Sequence, residues 1–454
     1  MSKTTVGMLS LGCPKTLVDS ELVLGKLDPE RYSLAPSIAQ CDIALINTCA
    51  FIQDAQEESI EQILRLIELK KAGDIRRVVV LGCLAQRFLP ELQRELSEVD
   101  AFIGTGDYDK LPFVLEKVAQ GNGVSQVGLP GYLYTSSERR VALTLSYSRY
   151  LKISEGCDHT CSFCVIPSFR GGHRSRLLED VVKEAENLAS EGARELVLTG
   201  QDTTFFGYDL EGRYLLPELL GRLNSIPRIH WIRILYAYPS LVSGDLIKAV
   251  ASLDKVCHYL DMPLQHVNDR ILKSMRRGTT SQSIRRLIEK LRSRIPDLAI
   301  RTTFIVGYPG ETKEEFKELL DFIREFHFER LGVFTYSAEG GSLAAGLAGQ
   351  IPDKVKKNRL EEAMLAQQEV SRLTNQRLLG KELEVLVEEE QERPGFWLGR
   401  TYMDAPEVDG SVALKVDLKN GARTGIRPGE FVRARITQTH EYDLVGELMT
   451  SLKA

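Results

Sequence analysis

The sequence predicts an α/β protein in three parts: an N-terminal parallel α/β domain, a central partial (β/α)6 barrel and a C-terminal small OB-like β-barrel. Three observations predict it. Short β-branched runs alternate with amphipathic stretches through most of the chain. The alternation restarts after a Gly- and Ser-bearing stretch at 121–137, which carries the turn signal Leu129-Pro130-Gly131. After Lys381 the helical pattern stops and short strands follow one another closely.

In chain order, strands are expected at 6–11, 43–46 and 78–81, with an amphipathic helix at 54–69. Six more are expected at 150–153, 195–198, 231–235, 256–260, 300–306 and 331–334, separated by helical patterns such as 178–190, 281–294 and 313–326. Six β/α units in so short a stretch make an open barrel, because a closed eight-unit barrel needs more chain. Residues 352–379 read as a charged helix, and strands at 383–387, 396–399, 413–416, 431–436 and 443–447 complete the chain. The expected boundaries are 1–120, a linker at 121–140, then 141–380 and 381–454.

With 454 residues, 43% hydrophobic and 27% charged, the chain has the balance of a folded protein with several domains. Wholesale disorder, a collagen-like fibre and a small disulfide scaffold are excluded. A net charge of −5 is not that of a globally basic nucleic-acid binder. The sequence holds no run of 18 apolar residues, and its start, Met1-Ser2-Lys3-Thr4-Thr5, is not a signal-peptide core. The expected compartment is the cytoplasm, with no membrane association. Eight cysteines there need an explanation other than disulfides.

Cys157, Cys161 and Cys164 form a C-x3-C-x2-C loop just after the first strand of the central barrel, at the carboxyl end where such barrels place their chemistry. Three thiolates from one loop can surround a metal centre, and soft donors suit zinc or iron–sulfur. A structural zinc would want a fourth Cys or His at similar spacing, and His159 lies too close to its neighbours. The loop, with Phe163 as its aromatic, resembles that of the radical S-adenosylmethionine (SAM) superfamily. The resemblance implies a 4Fe-4S cluster with one open iron that chelates SAM, whose reductive cleavage releases a 5′-deoxyadenosyl radical. It also implies SAM contacts from Thr199, Gly200 and Gln201 in Leu198-Thr199-Gly200-Gln201-Asp202, and an adenosine-side turn at 304–311. Gln265 and His266, at a predicted strand end, are further candidates for the site, against a structural role for the histidine.

Cys13, Cys49 and Cys83 are far apart in sequence, yet each directly follows an apolar strand. Parallel strands present their carboxyl ends along one edge, so the three thiols converge if the strands are neighbours. Gly12 and Gly82 would let the backbone approach a bulky group. A second iron–sulfur cluster is favoured over three structural thiols. Cys41 and Cys257 lack this placement and read as core residues.

Two clusters, a β/α barrel and a terminal β-domain together resemble the methylthiotransferases over nearly the whole chain. Membership implies two 4Fe-4S clusters, the second delivering sulfur, and a TRAM-like terminal barrel that docks substrate. It also implies SAM as both radical source and methyl donor, and a reductant such as flavodoxin or ferredoxin. Two branches compete: one modifies an aspartate of small-subunit ribosomal protein S-twelve, the other an adenosine of tRNA. Ser10-Leu11-Gly12-Cys13-Pro14-Lys15, Asn47-Thr48-Cys49-Ala50-Phe51-Ile52, Ile153-Ser154-Glu155-Gly156-Cys157 and residues 402–410 resemble the ribosomal-protein branch. Thr16, where that branch has Asn, is a departure.

Charge gives a separate argument. Residues 382–454 carry 9 Lys+Arg against 14 Asp+Glu, which suits a basic protein partner, such as a ribosomal protein or the assembled small subunit, better than RNA. Against this, residues 270–301 carry ten basic residues, either an RNA-facing patch or an ordinary solvated face, the latter preferred. Readings of another class, an iron–sulfur electron carrier or an RNA-binding module with structural zinc, need no barrel of this size. No residue is singled out as a general acid or base.

Overall fold

The computed structural model describes residues 3–393, 395–416 and 426–451. Its first sheet is parallel throughout and contains β1 (Thr4–Ser10), β2 (Tyr32–Leu34), β3 (Ile43–Thr48), β4 (Arg77–Gly82), β5 (Ala101–Ile103) and β6 (Val124–Gln126). The spatial order is β2-β1-β3-β4-β5-β6. Every residue of β3 is buried, as expected of a central strand covered by helices on both faces. The strand order reverses between β1 and β3, and the carboxyl ends there form the crevice where such sheets bind ligands. The helix expected at 54–69 spans Gln53–Ala72 and ends on Gly73 in the left-handed conformation.

β2, β5 and β6 have three residues each, too few for a period-two pattern to register, and pairing with neighbours decides their conformation. β6 falls inside the stretch read as a linker. That stretch is also packed, since Tyr134 is fully buried and its hydroxyl donates to Glu184 Oε2 at 3.0 Å.

The second sheet holds β7 (Ser148–Lys152), β10 (Glu195–Thr199), β11 (Trp231–Ile234), β12 (Val256–Asp261), β13 (Ala299–Val306) and β14 (Arg330–Thr335), all parallel and each beside its predecessor. A two-stranded ladder of β8 (Ser154–Glu155) and β9 (Arg174–Ser175) sits at its rim. This is the open six-unit barrel that the sequence predicts. Capping boxes at Thr280 and Thr312 start the helices Ser281–Arg294 and Lys313–Phe326 at their expected positions. Along β10, Leu196 and Leu198 pack outward under the helices while Val197 faces the concave side, the period-two alternation of a strand.

After the helix Asp353–Gln376, a closed barrel is built from β15 (Glu382–Glu390), β16 (Phe396–Arg400), β17 (Val412–Lys415), β18 (Phe431–Thr439) and β19 (Leu444–Ser451), in the order β15-β16-β17-β19-β18. Its 401–410 segment plugs the amino-terminal mouth of the open barrel. Met403 and Ala405 pack against Trp231, Tyr259 and Ala299. Asp404 pairs with Arg330, and Asp409 accepts from Arg301 at 3.2 Å and from the Tyr259 hydroxyl at 2.7 Å. Deeper still, Glu195 is fully buried between Arg233 at 3.0 Å and Arg400 at 2.7 Å.

Glu195 yields a stability prediction. Burial opposes its ionisation, but Arg400 and Arg233 outweigh that and hold its carboxyl down to about 2. Glu195→Gln leaves Arg233 without its counter-charge and Arg400 with Glu388 alone, at a cost of about 3–5 kcal/mol. Because the folded pKa is depressed, the contribution is complete above the unfolded value of about 4.3 and is lost as pH falls towards 2. Thermal unfolding should therefore show a wide gap between wild type and variant at pH 7 that narrows below about pH 4.

Candidate functional site

β1, β3 and β4 are consecutive neighbours, with Ser10 opposite Asn47 and Thr48 opposite Gly82. Cys13, Cys49 and Cys83 therefore leave the same edge of the first sheet, two of them at its switch point. Gly12 has φ +92°, and a Cβ there would stand 2.9 Å from Cys49 Cβ and 3.2 Å from its Sγ. At Gly82, φ +96°, a Cβ would meet Asn47 Oδ1 at 2.2 Å. Both positions thus require glycine. Thr16, the departure from the expected Asn, is buried and places its hydroxyl 3.6 Å from Cys13 Sγ.

These thiols sit in different fields. Burial works against ionisation of Cys13, but the Lys15 and Arg170 cations and bonds from Thr16 outweigh it and hold the thiol below its ordinary value. Burial pushes Cys83 up to about 12, even though Arg170 donates to its sulfur from Nε at 3.3 Å and Nη2 at 3.1 Å. Cys41 donates to Ile38 O at 3.3 Å and Cys257 lies in an apolar cluster, so both stand apart from this edge.

The second thiol set follows β7 and β8. Gly156, φ +77°, leads into Cys157, and a Cβ on it would lie 2.0 Å from Gly172 O, so backbone passes against backbone here. Cys157 N donates to Gly171 O and Cys164 N to Cys161 O, both at 3.1 Å, folding the loop back on itself. Ser162 ties the loop to Ser274 O and the Tyr308 hydroxyl, each at 2.8 Å, and Phe163 packs beside Tyr308 and Met275. His159 stacks on Tyr238 at 3.6 Å and bonds Asp202 Oδ2 at 2.6 Å, so it serves the loop's shape instead of completing a zinc set. Arg277 Nη1 donates to Cys161 Sγ at 3.4 Å. Burial pushes Cys157 and Cys164 up to about 12, and iron binding would displace those protons. Among the described residues, no three His, Cys, Asp or Glu converge on a single-ion site. A cubane takes each thiolate on a separate iron and needs no such convergence.

Around this loop the barrel's carboxyl edge presents buried acceptors with no hydrogen-bond partner among the described residues: Ser154 Oγ, Thr199 Oγ1, Gln201 Oε1 and Gln265 Oε1. Gly200 admits close approach, since a Cβ there would touch Ser154 Oγ at 2.6 Å. Gln265 adopts φ +72°, a costly conformation for a non-glycine residue, between backbone bonds to Thr303 and Ile305. Unsatisfied buried acceptors beside three thiols fit a polar ligand carrying an ammonium and hydroxyl groups. His266 is fully buried; its Nδ1 accepts from Asn268 N at 3.0 Å, while its Nε2 has no hydrogen-bond partner among the described residues and lies 3.8 Å from Glu311 Oε1. The 304–311 turn is closed by Glu311, whose carboxylate accepts from Tyr308 N at 3.1 Å and pairs with Arg359.

Sequence reasoning missed what joins the two thiol sets. Asp19, Lys152, Glu155 and Arg170 form a buried charge knot. Arg170 bonds Asp19 at 2.8 Å and Glu155 at 3.2 Å, while Lys152 pairs with Asp19 and, at 2.8 Å, with Glu155. Gln201 Nε2 donates to Glu155 Oε1 at 2.9 Å. Arg170 thus touches Cys83 and, through Glu155, the residue pair that precedes Cys157. Its partners are 15, 87 and 151 positions away, so no local pattern signals it. Nearby, a cavity of about 760 Å³ opens between the helix Gln53–Ala72 and residues 338–340, floored by the Arg87–Glu339 ion pair, with Arg87 also donating to Ala50 O.

The basic run at 270–301 does not form one free patch. Arg277 is buried at the cysteine loop and Arg301 is bound at the plug, while Arg270, Arg285 and Arg292 pair with Glu315, Glu325 and Glu329. Some acids of the terminal barrel are engaged internally, Glu388 with Arg400 and Asp404 and Asp409 with Arg330 and Arg301, while others such as Glu389, Glu390 and Glu392 are exposed. No helix among the described residues is long and apolar enough to cross a membrane.

Comparison with known proteins agrees with this architecture. A model of the radical SAM superfamily matches residues 151–323, one described as uncharacterized protein family UPF0004 matches 5–104, and a TRAM domain model matches 379–449. The chain is 46% identical over 443 residues to ribosomal protein uS12 methylthiotransferase RimO of Pelotomaculum thermopropionicum, covering 97% of this chain and 98% of that one. The protein of the same name from Geobacter sulfurreducens is 45% identical, covering 99% of each chain. Among solved structures, the radical SAM methyltransferase TsrM of Kitasatospora setae superposes with a TM-score of 0.53 at 15% identity, over 74% of this chain and 75% of that one, a likeness of fold alone.

Proposed function

The chain belongs to the radical-SAM methylthiotransferases of the RimO type, and we propose that it inserts a methylthio group at the β-carbon of an aspartate in ribosomal protein uS12. The observation that carries this reading is the pair of cysteine sets, each at the carboxyl edge of its own parallel sheet and tied to the other through Arg170. In this reading Cys157, Cys161 and Cys164 hold the cluster that binds SAM, and Cys13, Cys49 and Cys83 hold a second one. Bound there, the two 4Fe-4S clusters and SAM supply a hydrogen-abstracting radical, sulfur and a methyl group; the organic chemistry is theirs.

The protein's part is placement. Thr199, Gly200, Gln201 and Gln265 offer SAM its polar partners, and Phe163 walls the cysteine loop. The Asp19–Lys152–Glu155–Arg170 knot fixes the first sheet against the barrel, so the two thiol sets keep one separation. The 401–410 plug closes the opposite mouth against water. The cavity beside Ala50 gives a peptide segment an approach from outside. A cytoplasmic enzyme supplied by a flavodoxin- or ferredoxin-type reductant follows from this reading.

The test is a competition. Anaerobically reconstituted enzyme, SAM and a strong reductant are offered a uS12 loop peptide and unmodified tRNA together, and both are weighed by mass spectrometry. A methylthio gain on the peptide alone is expected. A gain on tRNA alone would overturn the reading.

A further inference from the structure

Lys15 is a buried ammonium with no carboxylate partner among the described residues; its electrostatic neighbours are Tyr236 and the Cys13 thiol. It is 9% exposed and forms no ion pair with an acid among the described residues. Its Nζ rests 3.5 Å from the centre of the Tyr236 ring. The neighbouring cations are matched: Lys152 and Arg170 share the carboxylates of Asp19 and Glu155. Tyr236 is itself held rigidly. It follows β11 at φ +58°, its amide donates to Asp261 Oδ2 at 3.0 Å, and its carbonyl accepts from Thr203 N at 3.1 Å. Thus a lysine two residues after Cys13 carries its charge across to the barrel's carboxyl edge, beside Tyr236.

A desolvated cation set against an aromatic face and a thiol, with no carboxylate to pair it, binds an anion strongly. We propose that Lys15 binds the carboxylate of the target aspartate and sets the enzyme's preference for an acidic side chain. This inference rests on the aspartate reading above. Such a contact orients the β-carbon, one bond from the carboxylate, between the two thiol sets, and rejects the neutral asparagine isostere because the ammonium would stay unpaired.

The experiment measures binding of two fluorescent uS12 loop peptides, one with the target Asp and one with Asn in its place, to anaerobically reconstituted enzyme with SAM and no reductant. Wild type is expected to favour the Asp peptide. In Lys15→Met that preference falls by about 10- to 100-fold, with iron and sulfide per chain as in wild type. Lys15→Arg keeps much of it, and Lys15→Gln serves as the second neutral variant. Unchanged discrimination in both neutral variants would overturn the proposal. So would loss of iron in both, which would make Lys15 a support for the Cys13 cluster. If wild type with reductant converts neither peptide, the aspartate reading itself falls, an outcome read on wild type alone.

Discussion

Replacing any one of Cys157, Cys161 or Cys164 by Ala is expected to reduce 5′-deoxyadenosine formation to the background seen without enzyme. The loop has no spare thiol: Cys157, Cys161 and Cys164 are the cysteines within it, and His159 is committed to Asp202 and Tyr238. The effect should be equal at the three positions, because a cluster with two protein ligands is not retained. Iron content should fall together with activity, and reverse-phase chromatography of the nucleoside after anaerobic reduction measures it directly. Normal formation in any of the three variants would remove that residue from the ligand set. Circular dichroism matching wild type would show that the barrel, whose core lies beneath the helices and away from the loop, is intact.

Substitution in the other set separates the two activities. Cys13→Ala, Cys49→Ala or Cys83→Ala should stop methylthiolation of the uS12 peptide while SAM cleavage persists. These thiols project from the first sheet, and the barrel's own loop does not depend on them for its fold. Cys83 is the most demanding case, since its loss also takes from the buried Arg170 the one sulfur that accepts from its Nε and Nη2. A fall in thermal stability greater than that of Cys13→Ala is therefore expected there. Product formation at the wild-type rate in all three would make the set structural.

What could be read from the sequence followed the range of the interactions. The six barrel strands and three of its helices were readable because each carries enough alternating residues to declare its period. β2, β5 and β6, three residues each, owe their conformation to pairing. The six cysteines are singled out by spacing and by strand ends, although the placement of three of them on one edge depends on β1, β3 and β4 being neighbours, which only the fold supplies. Arg170 and the charge knot were invisible because their partners are distant in the chain. The acidity of the last domain could be counted, but counting does not show that Asp404 and Asp409 lie inward beneath Arg330 and Arg301.

The plug at 401–410 bears on how such a chain can be recombined. The helix Asp353–Gln376 that leads into the terminal barrel would make a convenient splice point. Yet the floor of the central barrel is completed by residues of its neighbour: Arg400 reaches Glu195, and Asp404 and Asp409 answer Arg330 and Arg301. A chimera with a foreign terminal barrel would strand those side chains in a dry interior, whatever substrate the graft recognised. The unit that can be exchanged is therefore the central barrel together with the terminal barrel that carries its plug.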